Sequence, residues 1–235
     1  MRKLIVVTGG SQGIGRAILS KFAAEGFDVA TCARHAADLE VLKMQIEKLN
    51  PGVTVFFRQA DMSVPTEAKD FGEFVLSLER PVNVLVNNAG YFVPGEISTE
   101  AEGNLESMIN ANLYSAYHLT RVLVPQMKSL KSGHIFNMCS IASIQAYKNG
   151  GSYAISKFAL LGFSKCLREE LKNHRIRVTA VIPGATKTRS WAGAGLPDER
   201  FIRPDDVAQA VLSAYLMSVN SVVEEIIIRP QEGDI

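Results

Sequence analysis

Tyr153 and Lys157 stand four residues apart within a run of helical period at 153–171, so their side chains share one face of one helix. A free phenol, with a pKa of about 10, is a poor proton donor or acceptor at neutral pH. An ammonium held beside it favours the phenolate, each unit of downward shift being worth about 1.4 kcal/mol, and moves the group toward general acid–base chemistry. The pair alone is ordinarily a packed ring and a solvated amine. Ser140, thirteen residues upstream at the end of an apolar run, adds a second hydroxyl and turns the reading toward a catalytic set.

A second chemical signal is the turn Thr8-Gly9-Gly10-Ser11-Gln12-Gly13-Ile14-Gly15, between an apolar run and a helical one. Glycines there allow a tight turn, let backbone N–H groups approach a pyrophosphate and start the helix close to the strand, with phosphate on its positive end. Such a turn can equally bind nothing. Gly9 to Gly13 also fits G-x-S-x-G, the nucleophile elbow of a hydrolase. That chemistry needs several earlier strands, then an acid and a histidine. Only one strand precedes Ser11, and none of His35, His118, His134 and His174 follows a late strand beside an acid. No lysine backed by Ser or Thr follows the last glycine, which excludes a P-loop.

About 20 residues beyond the glycines, an NAD-binding unit places a carboxylate on the ribose. Here the sequence is Cys32-Ala33-Arg34-His35, with no acid. The Arg34 guanidinium can grip a 2′-phosphate through two parallel N–H bonds, so NADP(H) is the expected cofactor. A solvated arginine at a strand end is the plainer alternative. Asp28 and Asp38 bracket the place but stand at the wrong points of strand and helix.

Holding these groups together takes a repeated strand–helix pattern. Short β-branched runs lie at 3–7, 29–32, 53–57, 82–86, 134–138, 177–182 and 222–228, with helical periods between them at 14–24, 37–49, 67–78, 105–130, 153–171 and 205–217. The strands are apolar throughout, as expected when both sheet faces are covered. The pattern predicts an α/β fold, a doubly wound parallel sheet with helices on both faces, in a single domain over 1–235. One long connection, 184–203, lacks a period and holds Gly193, Gly195, Pro197 and the sole tryptophan, Trp191. It is expected to be a substrate loop, with a plain surface excursion as the alternative.

Of the 235 residues, 47% are hydrophobic and 21% charged, enough for a sizeable core and inconsistent with disorder. A net charge of +1 gives no bulk attraction to nucleic acid or an anionic membrane. Cys32, Cys139 and Cys166 are too few and scattered for a disulfide framework or a metal knuckle, so no metal is expected. They suit a reducing compartment. The apolar run after Met1-Arg2-Lys3 stops after four residues, too short for a secretory signal, and no stretch approaches a membrane span. A cytoplasmic location is expected.

Together, Thr8-Gly9-x-x-x-Gly13-x-Gly15, Asp61, Asn87-Asn88-Ala89-Gly90, Asn112, Ser140, Tyr153-x-x-x-Lys157 and Pro183-Gly184 resemble the short-chain dehydrogenase/reductase family over nearly the whole chain. The ending from Val222 to Ile235, and Trp191 after the Pro183-Gly184 turn, are similar to bacterial sepiapterin-reductase-type members, or to a broader carbonyl-reductase group sharing that tail.

The resemblance implies a Rossmann-type domain of seven parallel strands with its site at their carboxyl ends. It makes Tyr153 the proton donor to a substrate oxygen that Ser140 also holds. Lys157 binds the nicotinamide ribose, and Asn112 positions a water that relays protons to it. An asparagine inside a helix is otherwise a locally satisfied polar residue. Gly9, Ser11, Gln12, Gly13, Ile14 and Gly15 would meet the pyrophosphate, Asp61 and Met62 the adenine, and Asn88, Ala89 and Gly90 the ribose. Pro183, Gly184, Thr186 and Thr188 would receive the carboxamide. Thr186 stands where the family commonly has an aliphatic residue, and Cys139 where it often has a serine. Cys139 reads as packing, since no histidine serves it as a base. Ser143 competes for the serine role at the wrong spacing.

Phe92, Val93, Ile141, Tyr147 and Trp191 are expected to wall an aromatic pocket suited to a flat carbonyl compound. A pterin would further ask for a carboxylate facing its amino-pyrimidine, with Asp234 the candidate and a solvated terminal acid the alternative. The expected activity is NADPH-dependent carbonyl reduction. The alternatives are a general alcohol dehydrogenase or 3-oxoacyl-type reductase, and a non-catalytic cofactor-binding regulator. Resemblance also implies a homodimer or homotetramer packed through 105–130 and 153–171.

Overall fold

The computed structural model describes every residue except Ala192 and Ala194. Strands β1 (Leu4–Thr8), β2 (Asp28–Ala33), β3 (Val55–Gln59), β4 (Val82–Asn87), β5 (Gly133–Met138), β6 (Ile176–Pro183) and β7 (Glu225–Ile228) form one parallel sheet. Its order is β3-β2-β1-β4-β5-β6-β7. Helices α1 (Gly13–Ala24), α2 (Ala36–Leu49), α3 (Pro65–Ser77), α4 (Asn104–Ile109), α5 (Ser115–Leu130), α6 (Gly151–Leu171) and α7 (Pro204–Leu216) make the crossovers.

Successive side chains of a strand point to opposite faces, and this divides the core in two. Ile5 and Val7 of β1, with Val84 and Val86 of β4, pack against Ile18 and Phe22 of α1, Leu42 of α2 and Val211 of α7. Leu4 and Val6 turn the other way, onto Phe71 and Val75 of α3, Leu119 of α5 and Leu167 of α6. The doubly wound seven-stranded sheet is therefore as expected, and its two covered faces explain the unbroken apolar runs. The chain winds outward from β1 to β3 and returns on the other side of β1 with β4. A crevice opens beyond the carboxyl ends of those two strands, where ligands bind in such sheets.

Three elements depart from expectation, the third strand covering Val55–Gln59 and not 53–57. The run at 105–130 is not one helix: α4 and α5 are joined by a π-helical turn, Asn110–Tyr114, that contains Asn112. Such insertions mark places where something competes with the regular ladder; here the Asn112 amide is drawn to the chain after β4. The last strand begins at Glu225, not at 222. Before it, Val223 offers its carbonyl to the Thr179 side chain at 2.6 Å, and ladder pairing with β6 starts only at Ala180↔Glu225.

The 184–203 connection carries two short 3-10 turns, Arg189–Trp191 and Asp198–Arg200. A parallel bridge between Thr186 and Ile202 closes its base, with Lys187 N–H donating to the Ile202 carbonyl at 2.8 Å. Positions 192 and 194 of this expected loop lie outside the described residues. No described helix is long and apolar enough to cross a membrane.

Candidate active site

The turns after β1 and β4 are bolted together. Thr8 Oγ1 accepts from the N–H groups of Asn88 and Ala89, each at 2.9 Å, while Asn88 Nδ2 donates to the Thr8 carbonyl at 2.8 Å. Gly15 makes this possible: a Cβ there would sit 2.5 Å from the Gly9 carbonyl oxygen and 2.6 Å from Asn88 Nδ2. Gly15 thus serves the packing of helix on strand, and it lies outside the lining of the cavities.

Gly9, Ser11, Gln12, Gly13 and Ile14 line a cavity of about 320 Å³. Its far wall holds Arg34, Asp61 and Met62, and its near wall Asn88, Ala89 and Gly90. One carboxylate oxygen of Asp61 accepts from the N–H and hydroxyl of Ser63, at 2.9 and 2.7 Å. Among the described residues Arg34 forms no ion pair. Asp28 lies at the opposite end of β2, paired with Arg80 at 2.6 Å. Asp38 departs from expectation, because the first turn of α2 brings it into this cavity's wall.

Ser140, Tyr153 and Lys157 line an adjoining cavity of about 270 Å³, along with Pro183, Gly184, Thr186 and Thr188. Ile14, Asn88, Gly90, Thr188 and Ser190 border both, so the two form one cleft. A long ligand with a phosphate-bearing polar end fits it. The end with Arg34 and the glycine turn offers cationic and N–H groups, and the other end is apolar and reaches the Tyr153 hydroxyl. Phe92, Ile141, Tyr147 and Trp191 wall the second cavity, and Phe92 meets the Tyr153 ring edge-on with centroids 4.8 Å apart. Val93, expected in this wall, is not in it.

Ser140 caps the 3-10 turn Ile141–Ser143: its Oγ accepts from Ala142 N–H at 3.2 Å, and its own proton is available to the Tyr153 oxygen. Ser143 is buried behind it and accepts from Ser140 N–H at 3.1 Å, a support for the turn and not a rival in the pocket. Cys139 is buried, which raises its thiol pKa and suits packing.

Burial pushes the Tyr153 phenol up to about 12, against a smaller lowering by its hydrogen bond with Ser140. The expected downward pull from Lys157 is not what the protein's own groups produce. Lys157 Nζ donates to the Met138 carbonyl at 2.8 Å, lies 5.8 Å from the Tyr153 ring centroid, and is itself lowered to about 8 by burial. Asn112 is fully engaged: its Oδ1 accepts from Tyr91 N–H at 2.9 Å, and its Nδ2 donates to the Tyr91 carbonyl and to Ser156 Oγ. Ser156 in turn donates to the Tyr153 carbonyl at 2.7 Å, so this chain ties the turn after β4 to α6.

Asp234 lines the second cavity and pairs with Arg229 at 3.2 Å, while Arg229 also donates to Gln145. Sequence reasoning missed Tyr91, Gln145 and Ser190, all in the cleft. Tyr91 directly follows the Asn-Asn-Ala-Gly turn and could have been found from that; Gln145 and Ser190 carry no such signal.

A family model described as short chain dehydrogenase matches residues 3–196. The chain is 33% identical to sepiapterin reductase of Chlorobaculum tepidum over 246 aligned residues, covering 100% of this chain and 99% of that protein. Among solved structures, alcohol dehydrogenase from the archaeon Thermococcus sibiricus, complexed with 5-hydroxy-NADP, superimposes with a TM-score of 0.91 at 27% identity, over 98% of this chain and 97% of that one. L-Sorbose reductase from Gluconobacter frateurii, complexed with NADPH and L-sorbose, gives 0.88 at 28% identity over 97% and 95%.

Proposed function

The chain belongs to the short-chain dehydrogenase family, and from that premise we propose that it is an NADPH-dependent reductase converting a ketone or aldehyde to an alcohol, with a pterin side-chain ketone as substrate. The observation that carries this is the convergence of Ser140, Tyr153 and Lys157 on one cavity continuous with the glycine-turn cleft.

When bound, NADPH supplies the hydride that reaches the carbonyl carbon. Arg34 holds the 2′-phosphate, the N–H groups of the glycine turn hold the pyrophosphate, and Asp61 and Met62 hold the adenine. Asn88 to Gly90 admit the ribose, and Lys157 binds its hydroxyls. Pro183, Gly184, Thr186 and Thr188 receive the carboxamide. Tyr153 gives its proton to the carbonyl oxygen, and the Ser140 hydroxyl donates a hydrogen bond to that oxygen as charge develops. Asn112, through the turn it holds, supports a water beside Lys157 that restores the proton.

The wall of Phe92, Tyr147 and Trp191 suits a flat ring. Asp234 supports the pterin reading: Arg229 holds one carboxylate oxygen, leaving the other to accept from an amino-pyrimidine. In this reading 1–235 is one dinucleotide-binding domain, 184–203 lies over the substrate, and the protein acts in the cytoplasm. It self-associates through the outer faces of α5 and α6, where Tyr117, Ile155 and Phe158 are exposed, next to Tyr114 of the π-helical turn.

Purified protein, NADPH and a carbonyl panel including sepiapterin test the proposal. Turnover is expected, with Tyr153→Phe lowering kcat on the order of a thousandfold while NADPH binding persists. Normal NADPH affinity without turnover of any substrate would replace it with the regulator reading.

A further inference from the structure

Helix α6, which carries Tyr153 and Lys157, begins with Gly150 and Gly151 and has no capping side chain of its own. The first N–H groups of a helix lack intrahelical acceptors, and its positive end favours an anion. Glu100, on the segment between β4 and α4, meets that need from afar. Its carboxylate accepts from the hydroxyl of the fully buried Ser152 and, at 3.5 Å, from the Ser152 N–H.

Two glycines allow the approach. A Cβ on Gly151, whose φ is +36°, would lie 2.4 Å from the Gly95 carbonyl oxygen and 3.1 Å from Glu100 Oε2. One on Gly95 would meet Glu100 Cβ at 3.0 Å. Gly95 N–H also donates to the Asn149 carbonyl at 3.0 Å, just before the helix. The segment pinned in this way starts with Tyr91 and Phe92, both in the cleft, and Phe92 rests against the Tyr153 ring.

We propose that Glu100 is a positioning residue whose carboxylate clasps residues 91–100 to the first turn of α6 through Ser152, holding Phe92 against Tyr153 and so setting the width of the pocket at its carbonyl end. The inference rests on Tyr153 being the proton donor. Glu100 lies outside the lining of the cleft and acts through Ser152 and the backbone at Gly95 and Gly151. Because the hold works by hydrogen-bond acceptance at both carboxylate oxygens, glutamine keeps one acceptor oxygen and part of the clasp, while alanine removes it.

The test combines steady-state kinetics, NADPH binding and amide hydrogen exchange on wild type, Glu100→Ala, Glu100→Gln, Ser152→Ala and the double alanine variant. Glu100→Ala is expected to raise KM for the carbonyl about tenfold, with the NADPH dissociation constant within about twofold of wild type, and to speed exchange over 91–100. Glu100→Gln recovers part of the KM. Ser152→Ala reproduces the alanine effect, and the double variant is no worse than either single one, as expected of two ends of one contact.

Wild-type KM and exchange in Glu100→Ala overturn the proposal. So does a parallel loss of substrate and NADPH affinity in both Glu100 variants, which would mean general loosening. If Glu100→Ala does not fold, Glu100→Gln and Ser152→Ala carry the comparison. If the wild type reduces no carbonyl, the functional reading fails, while exchange over 91–100 still decides whether the clasp exists.

Discussion

Burial pushes the Tyr153 phenol up to about 12, the reverse of the lowering that a neighbouring ammonium gives. The i, i+4 spacing to Lys157 was legible in the sequence; the balance of forces on the phenol was not, because it depends on how much water the folded pocket excludes. At the other end of the cleft Arg34 makes a separable prediction. Losing a two-pronged, charge-assisted grip on a phosphate costs about 1.5–3 kcal/mol. Arg34→Gln is therefore expected to weaken NADPH binding roughly ten- to a hundredfold and leave NADH binding nearly unchanged. Fluorescence titration of both cofactors checks this, and equal losses for the two would place Arg34 outside the 2′-phosphate site.

Among the elements, the carboxyl ends of β4 and β5 are tied to α5 and α6 by buried polar side chains. Asn87 Nδ2 donates to Thr120 Oγ1 at 3.0 Å and to Asn137 Oδ1 at 2.8 Å, and Asn137 Nδ2 donates to Ser164 Oγ at 2.8 Å. Removing Asn137 takes one hydrogen bond from Asn87 Nδ2, which keeps Thr120, and one from Ser164, which still donates to the Leu160 carbonyl, and each lost buried bond costs about 1 kcal/mol. Asn137→Ala is expected to lower stability by at least about 2 kcal/mol, read as a shift in the urea midpoint. An unchanged midpoint would show that the polar chain does not hold these elements together. The sequence marked Asn87 as the start of the Asn-Asn-Ala-Gly turn and gave Asn137 no role. It likewise showed an unbroken helical period across Asn112, since the Tyr91 backbone that engages its amide lies 21 residues away.

For the whole molecule, pH dependence of stability follows from His134 of β5, fully buried beside Thr179 of β6 and stacked on Phe136. Thr179 Oγ1 donates to the Val223 carbonyl, so it accepts from His134 Nε2–H at 2.7 Å, leaving Nδ1 bare and without a partner among the described residues. Burial, helped by nearby Arg177, lowers the imidazole to about 2. In the unfolded chain it takes a proton near pH 6.5, so the unfolded state is favoured as pH falls below about 6.5, by about 1.4 kcal/mol per pH unit. Between about pH 7.5 and 5 this group contributes a loss of about 2 kcal/mol. Urea denaturation at both pH values should show that His134→Gln flattens the dependence by that amount. An identical slope in the variant would assign the acid sensitivity elsewhere.

Local spacing by itself determined the alternation of strands and helices, the two-sided burial of the sheet, and the sharing of one helix face by Tyr153 and Lys157. Each of these depends on residues within a few positions of one another, where backbone periodicity fixes direction. Tertiary structure alone decided that Asp38 enters the cleft wall while Val93 leaves it, that Gly15 makes room for Asn88, that Arg229 holds Asp234, and that Glu100 caps a helix 52 residues downstream. These contacts join segments far apart in the chain, and both the partners of a polar group and the dielectric around it are set only once those segments pack.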